Sequence, residues 1–135
     1  MTRIFVIDDH PVVRQSYALL IRREAELVLC GEAASGREAL EKIPLCAPDV
    51  VVMDMSLQDD MDGIVLLQQL AAQKANLAVL VVSGHDELIY AQRLIELGAR
   101  GYVMKGDATA FLQALRQVIH GATYLSEEVR HQHNC

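Results

Sequence analysis

The chain has 135 residues, 52% of them hydrophobic and 22% charged, with a formal net charge of -6 at pH 7. That length suits one domain with a core of its own, and the balance excludes a disordered segment. No basic run is present that could grip nucleic acid unaided, and apolar stretches such as Leu77 to Val82 are too short to span a bilayer.

Apolar runs of strand length alternate with stretches of helical period, which predicts βα units around a parallel sheet. The first strand is expected near residues 3–8, entered directly from Met1 without a signal-type segment, so a cytoplasmic location is expected. Pro11 suits the first turn of a helix over about 11–24, on which Val13, Tyr17, Leu20 and Ile21 recur at helical spacing. A second strand near 27–32 is followed by Ser35 and Glu38, a capping box for a helix ending near Ile43, with Pro44 and Pro48 bracketing a loop. The third strand is expected at 49–54, and the third helix from about Asp62 or Gly63 with Leu66, Leu67 and Leu70 on one side. The fourth strand spans 78–83, and its helix runs from Asp86 to just before Gly98. A fifth strand at 100–104 precedes a helix capped by Asp107, with Phe111, Leu115 and Val118 inward, that ends before Gly121. These elements predict a doubly wound α/β fold with a five-stranded parallel sheet and five helices. Residues 1–121 form its single domain; 122–135, with His131 and His133, read as a linker or C-terminal tail. Cys30, Cys46 and Cys135 lack metal-ligand spacing and read as incidental thiols.

Four of the strands end on residues able to handle phosphate or a metal: Asp8 and Asp9, Asp54, Ser83, and Lys105. Ligands of open parallel sheets bind outside the carboxyl ends of the strands, where all of these fall. Three clustered carboxylates repel one another, and a hard divalent ion relieves that repulsion; Mg²⁺ suits them because it prefers oxygen and keeps exchangeable water. Asp54, central in the sheet, is the natural nucleophile toward phosphorus, Lys105 offsets phosphoryl charge, and Ser83 is placed to sense a phosphoryl oxygen. Taken singly, Asp8 or Asp9 is a helix cap and Ser83 as easily a turn hydroxyl; the adjacent pair together with Asp54 and Lys105 favours a site. His10 and His85 are expected on the surface or in loops, Asp59, Asp60 and Asp62 to be solvated, and Tyr102 as readily to pack as to serve the site.

The stretches VIDDHPVVR, GEAASGREAL, PDVVVMDMSL, DGIVLLQQL, LVVSGHDE and GARGYVMKGD closely resemble the receiver domain of bacterial two-component response regulators, over about residues 2–121. DDHPVVR and GATYLS look most like the NarL/FixJ subfamily. The resemblance implies a flavodoxin-like receiver fold in which Asp54 accepts phosphate from a sensor histidine kinase. It implies that Asp9 and Asp54 bind Mg²⁺ with the backbone carbonyl of Ser56, Asp8 acting through water. Lys105 would pair with the phosphoryl group, and Ser83 and Tyr102 would act as switch residues for the surface of the fourth helix, fifth strand and fifth helix. Such domains catalyse their own phosphorylation and dephosphorylation without being dedicated enzymes. They can pair on phosphorylation, and in this subfamily they reach DNA only through a helix-turn-helix module, which would follow where this chain ends; a receiver cut from a longer regulator and a free-standing one both fit. Three positions depart from the family pattern. Gln58 stands where a proline is usual and Gly63 falls one residue late, an extra residue after Ser56 that alters the following loop; Gly106 replaces the proline common after the lysine.

Two other classes share parts of the pattern. A haloacid dehalogenase-type phosphohydrolase also uses a strand-end aspartate with a lysine, but carries a second aspartate where Ser56 stands. A flavin-binding module of the same fold uses a Ser/Thr/Gly-rich first loop, where Asp8, Asp9, His10 and Pro11 stand here.

Overall fold

The computed structural model describes residues 1–55, 63–73, 77–84 and 88–125. In chain order the elements are β1 (Thr2–Ile7), α1 (Pro11–Arg22), β2 (Leu27–Ala33), α2 (Gly36–Cys46), β3 (Val50–Asp54), α3 (Gly63–Gln73), β4 (Ala78–Ser83), α4 (Leu88–Glu96), β5 (Gly101–Met104), α5 (Ala108–Ile119) and β6 (Tyr124–Leu125). All pairings are parallel, and the sheet order is β2-β1-β3-β4-β5-β6. The expected five-stranded sheet with five helices is therefore present in the order 2-1-3-4-5. Two residues of the stretch assigned to a linker or tail extend its edge as β6.

Every residue of β3 and β4 is buried, which is why these strands read as unbroken apolar runs rather than alternating ones. Because successive side chains point to opposite faces, the strands feed two cores. Phe5, Ile7, Val51, Met53, Val79 and Val81 pack with α2, α3 and α4 through residues such as Ile43, Leu66, Leu70 and Leu94. Ile4, Val6, Val52, Leu80 and Val82 pack with α1 and α5 through Tyr17, Ile21, Phe111 and Leu115. Among the described residues no helix is long and apolar enough to cross a membrane.

Several local expectations meet tertiary corrections. The second helix does not stop at Ile43: Pro44 lies inside α2, which continues to Cys46. Its frayed end is held from outside, because the Arg3 guanidinium donates to the Cys46 carbonyl at 2.7 and 3.0 Å and the left-handed Ala47 donates its N–H to Ile43 at 2.9 Å. The first helix ends two residues early, at Arg22. Along β2 the pairing with β1 shifts between Ile4 and Phe5, which face Leu29 and Gly31, so Cys30 is the extra residue of a bulge. The Ser35 and Asp107 caps form as expected, accepting from Glu38 N at 3.1 Å and Ala110 N at 2.9 Å. The expected start of the fourth helix at Asp86, the acidic loop Asp59 to Asp62, and the tail histidines fall outside the described residues.

Candidate functional site

Strand order reverses at β1, which is flanked by β2 on one side and β3 on the other, so a crevice opens between the carboxyl ends of β1 and β3. Asp8 directly follows β1 and Asp54 ends β3; both are buried to within 1% of full exclusion from solvent. Two strands away, Lys105 follows β5 and is tied to β4 by its N–H, which donates to the Ser83 carbonyl at 2.7 Å. The parallel register, Ser83 beside Met104 and Val82 beside Asp54, brings these chain-distant residues to one edge.

The Lys105 ammonium lies 3.1 Å from Asp54 Oδ2 and 3.6 Å from Asp8 Oδ2. Asp8 Oδ1 accepts from the backbone N–H of His10 at 2.8 Å, an Asx turn that leads into α1, and the Asp8 carbonyl accepts from Arg14 Nη1 at 2.6 Å. Asp8 is thus not the cap of α1: His10 is the N-cap residue and no side chain caps the helix, so the Asp8 carboxylate only shapes the turn before it. Its other oxygen, Oδ2, is buried without a hydrogen-bond donor. A buried anionic oxygen short of donors is costly, and a cation would satisfy it.

Asp8, Asp9, His10 and Asp54 each offer one ligand atom within a span of 4.8 Å. Three oxygen donors in that span fit a hard divalent ion, which seeks about six oxygen ligands near 2.1 Å, some of them water. Ser83 is buried at the end of β4, and Tyr102 is fully buried in the core beneath α4. Ser56 and His85, expected near the site, fall outside the described residues.

His10 lies exposed in the loop between β1 and α1, as expected, but its ring also turns to the acidic pocket. Although half-exposed, its Nδ1 approaches Asp9 Oδ1 to 2.9 Å, Asp8 Oδ1 to 3.2 Å and Asp54 Oδ2 to 4.0 Å. Its adjacency to the aspartate pair was the available signal; the direction of the ring was not. Tyr17, expected only as an apolar-face residue of α1, stacks against Phe111 at 4.6 Å between ring centroids. Burial, and then the carboxylates of Asp8 and Asp54, push its phenol well above the ordinary tyrosine range, so it stays a neutral wall of the pocket. Beside it a groove of about 480 Å³ runs between Val13, Ser16 and Leu20 of α1 and the segment Lys105 to Ala108. A wider cleft of about 580 Å³ opens among Thr2, Asp49 and Arg100 at the opposite end of the strands, and among the described residues Asp49 and Arg100 are its titratable lining groups.

The family model described as "Response regulator receiver domain" matches residues 4–121. The chain is 33% identical over 133 residues to the response regulator GacA of Pseudomonas viridiflava, covering 98% of this chain and 62% of that protein. To the transcriptional regulatory protein DegU of Brevibacillus brevis it is 30% identical over 130 residues, covering 96% and 55%. It therefore spans little more than half the length of these relatives. Among solved structures, a two-component response regulator of the LuxR family from an Aurantimonas species superposes with a TM-score of 0.90 at 32% identity, covering 97% and 94% of the two chains. RcsB, in a structure described as two dimers bound to two parallel DNAs, superposes with a TM-score of 0.88 over 96% of this chain and 66% of that one; at 22% identity it shows the shared fold alone.

Proposed function

The chain belongs to the family of response regulator receiver domains, and on that premise we propose that it accepts a phosphoryl group on Asp54 from a sensor histidine kinase, with Mg²⁺ as cofactor. One observation carries this reading: a buried strand-end carboxylate has the Lys105 ammonium 3.1 Å from one oxygen and lies within a ligand's span of Asp8 and Asp9. An Asp54 oxygen attacks phosphorus, the bond from phosphorus to the donor imidazole breaks, and its electron pair leaves with the histidine. The product is an acyl phosphate on Asp54. Lys105 is held by its backbone bond to Ser83 where it can offset charge on the phosphoryl oxygens, and positioning plus electrostatics is most of what this transfer requires. Asp9 and Asp54, with Asp8 through water and the Ser56 carbonyl, would hold the Mg²⁺, which supplies further charge neutralisation when bound. The groove along α1 that ends at Lys105 offers the kinase an approach beside the pocket.

The same domain is a self-modifying phosphoacceptor rather than a conventional enzyme, catalysing its own phosphorylation and dephosphorylation. Phosphorylation shifts a balance between two surface states of α4, β5 and α5, with Ser83 drawn to the phosphoryl group and Tyr102 as the packed element that follows it. In this reading residues 1–121 are the phosphoacceptor unit and 122–135, of which Tyr124 and Leu125 add an edge strand to the sheet, lead into a linker. The output is transcription through a DNA-binding module outside this chain, as the longer relatives suggest, with phosphorylation-dependent pairing of copies in the cytoplasm. The alternative is a free-standing relay, and the mass of the native gene product separates the two.

The test is chemical. Incubation with Mg²⁺ and a small phosphodonor such as phosphoramidate should add one phosphoryl group by intact mass, and Asp54→Asn should abolish it. Uptake that persists in the variant overturns the assignment.

A further inference from the structure

We propose that the His10 imidazole is a nitrogen donor to the divalent cation of the acidic pocket, so that first-row transition ions gain affinity there that Mg²⁺ does not. The inference rests on the cation-site reading above and adds a ligand to it. His10 Nδ1 lies 2.9 Å from Asp9 Oδ1, 3.2 Å from Asp8 Oδ1 and 4.0 Å from Asp54 Oδ2. Around an octahedral ion with bonds of about 2.1 Å, neighbouring ligands stand about 3.0 Å apart and opposite ones about 4.2 Å apart. The Asp9 separation matches adjacent ligand positions and the Asp54 separation approaches an opposite pair, while Asp8 Oδ1, which would reach the ion through water, is a hydrogen-bond neighbour of the ring.

A second, independent observation asks for positive charge beside this cluster. Asp8 is 1% exposed, and its Oδ2 has no hydrogen-bond donor, with Lys105 Nζ standing off at 3.6 Å. The root of His10 is also fixed. Its N–H is held by Asp8 Oδ1, its carbonyl accepts the Arg14 N–H at 2.9 Å, and Pro11 opens α1 immediately after it. The ring itself is 53% exposed, so it can pivot onto an ion without disturbing the core.

Ligand chemistry sets the consequence. Mg²⁺ favours oxygen and keeps its water, whereas imidazole suits later first-row ions such as Co²⁺ and Zn²⁺. An all-oxygen pocket would treat the two classes by charge and size; one with an imidazole donor separates them further. The competing account, that His10 Nδ1 only hydrogen-bonds Asp8 Oδ1 and lies against Asp9, predicts no bond to the ion.

Two measurements decide it. With Mn²⁺ bound to the unaltered protein, electron spin-echo modulation should show a coupled imidazole nitrogen. In His10→Ala and in His10→Gln that coupling should vanish. Loss of even an outer-shell partner lowers metal affinity about 10–100-fold, so Co²⁺ should bind these variants at least about tenfold more weakly. Mg²⁺ affinity should change less than about threefold, as an ion that prefers oxygen and water would not miss the nitrogen. Bound Mn²⁺ without nitrogen coupling, in a protein that still takes phosphate on Asp54, overturns the His10 assignment and leaves the phosphoacceptor reading intact. Equal loss of Co²⁺ and Mg²⁺ in the variants overturns it as well. Failure of any divalent ion to bind, together with failure to label Asp54, brings down both.

Discussion

The Lys105 ammonium sits 3.1 Å from Asp54 Oδ2, although 51 positions separate the two in the chain. The contact exists because β3, β4 and β5 are adjacent and in parallel register, so that the end of each strand meets the end of the next. In the absence of phosphate, Lys105 competes with a bound cation for the same carboxylates. Lys105→Met should therefore bind Mg²⁺ more tightly, by about fivefold if the lost repulsion is near 1 kcal/mol. It should at the same time be labelled more slowly by phosphoramidate. Calorimetric titration and intact-mass time courses measure the two effects, and their opposite signs identify the lysine as a partner of phosphate rather than of metal.

Asp8 offers a cleaner test of stored repulsion. Asparagine at this position keeps an oxygen for the His10 N–H and replaces the donor-starved Oδ2 with an amide that bears no charge. Metal-free Asp8→Asn should melt about 2–8 °C higher than the unaltered chain, in keeping with relief of about 1 kcal/mol. The added stability that Mg²⁺ confers should shrink. Thermal denaturation in chelator and in excess Mg²⁺ gives both numbers.

The bulge on β2 makes Gly31 necessary. A Cβ there would meet Cys46 Sγ at 2.8 Å and the Phe5 ring at 2.8 Å, both on the α2 side of the sheet. Gly31→Ala should cost about 1–3 kcal/mol by overpacking. Combining it with Cys46→Ala removes one of the two obstructions, so the double variant should lose less than the sum of the single losses; denaturant unfolding of all three variants checks the coupling.

Cys30 carries the alkaline prediction. Burial, followed by the neighbouring Cys46 thiol, raises its pKa above the ordinary thiol value of 9.0. As pH climbs through that value the unfolded chain releases its proton first, so the folded state binds more protons and loses stability. The contribution is fully present below the ordinary thiol pKa and disappears as pH rises through the folded one. Peptide-resolved alkylation rates should show Cys30 reacting with a midpoint above that of a free thiol. Cys46→Ala should move the midpoint down.

What could be read along the chain was whatever repeats locally. The buried runs of β3 and β4, the period of α1 and α5, and the Ser35 and Asp107 caps are set by side-chain size and by hydrogen bonds within a few residues, so they were legible before any coordinates. The identity of the acidic site was legible too, because strand ends of a parallel sheet share one edge, and Asp8, Asp54, Ser83 and Lys105 all occupy such ends. The continuation of α2 through Pro44 was not, since it depends on Arg3, far away in sequence, reaching the Cys46 carbonyl. Nor was the bulge at Cys30, which arises from the fit of one strand to its neighbour, or the pairing of Tyr124 and Leu125 with β5. Sequence determined which residues share the site's edge, because period is local and strand ends of a parallel sheet fall together. Only the tertiary structure decided how they face one another, including the turn of the His10 ring toward three carboxylates, because orientation at a few ångströms is set by packing and electrostatics that no local pattern encodes.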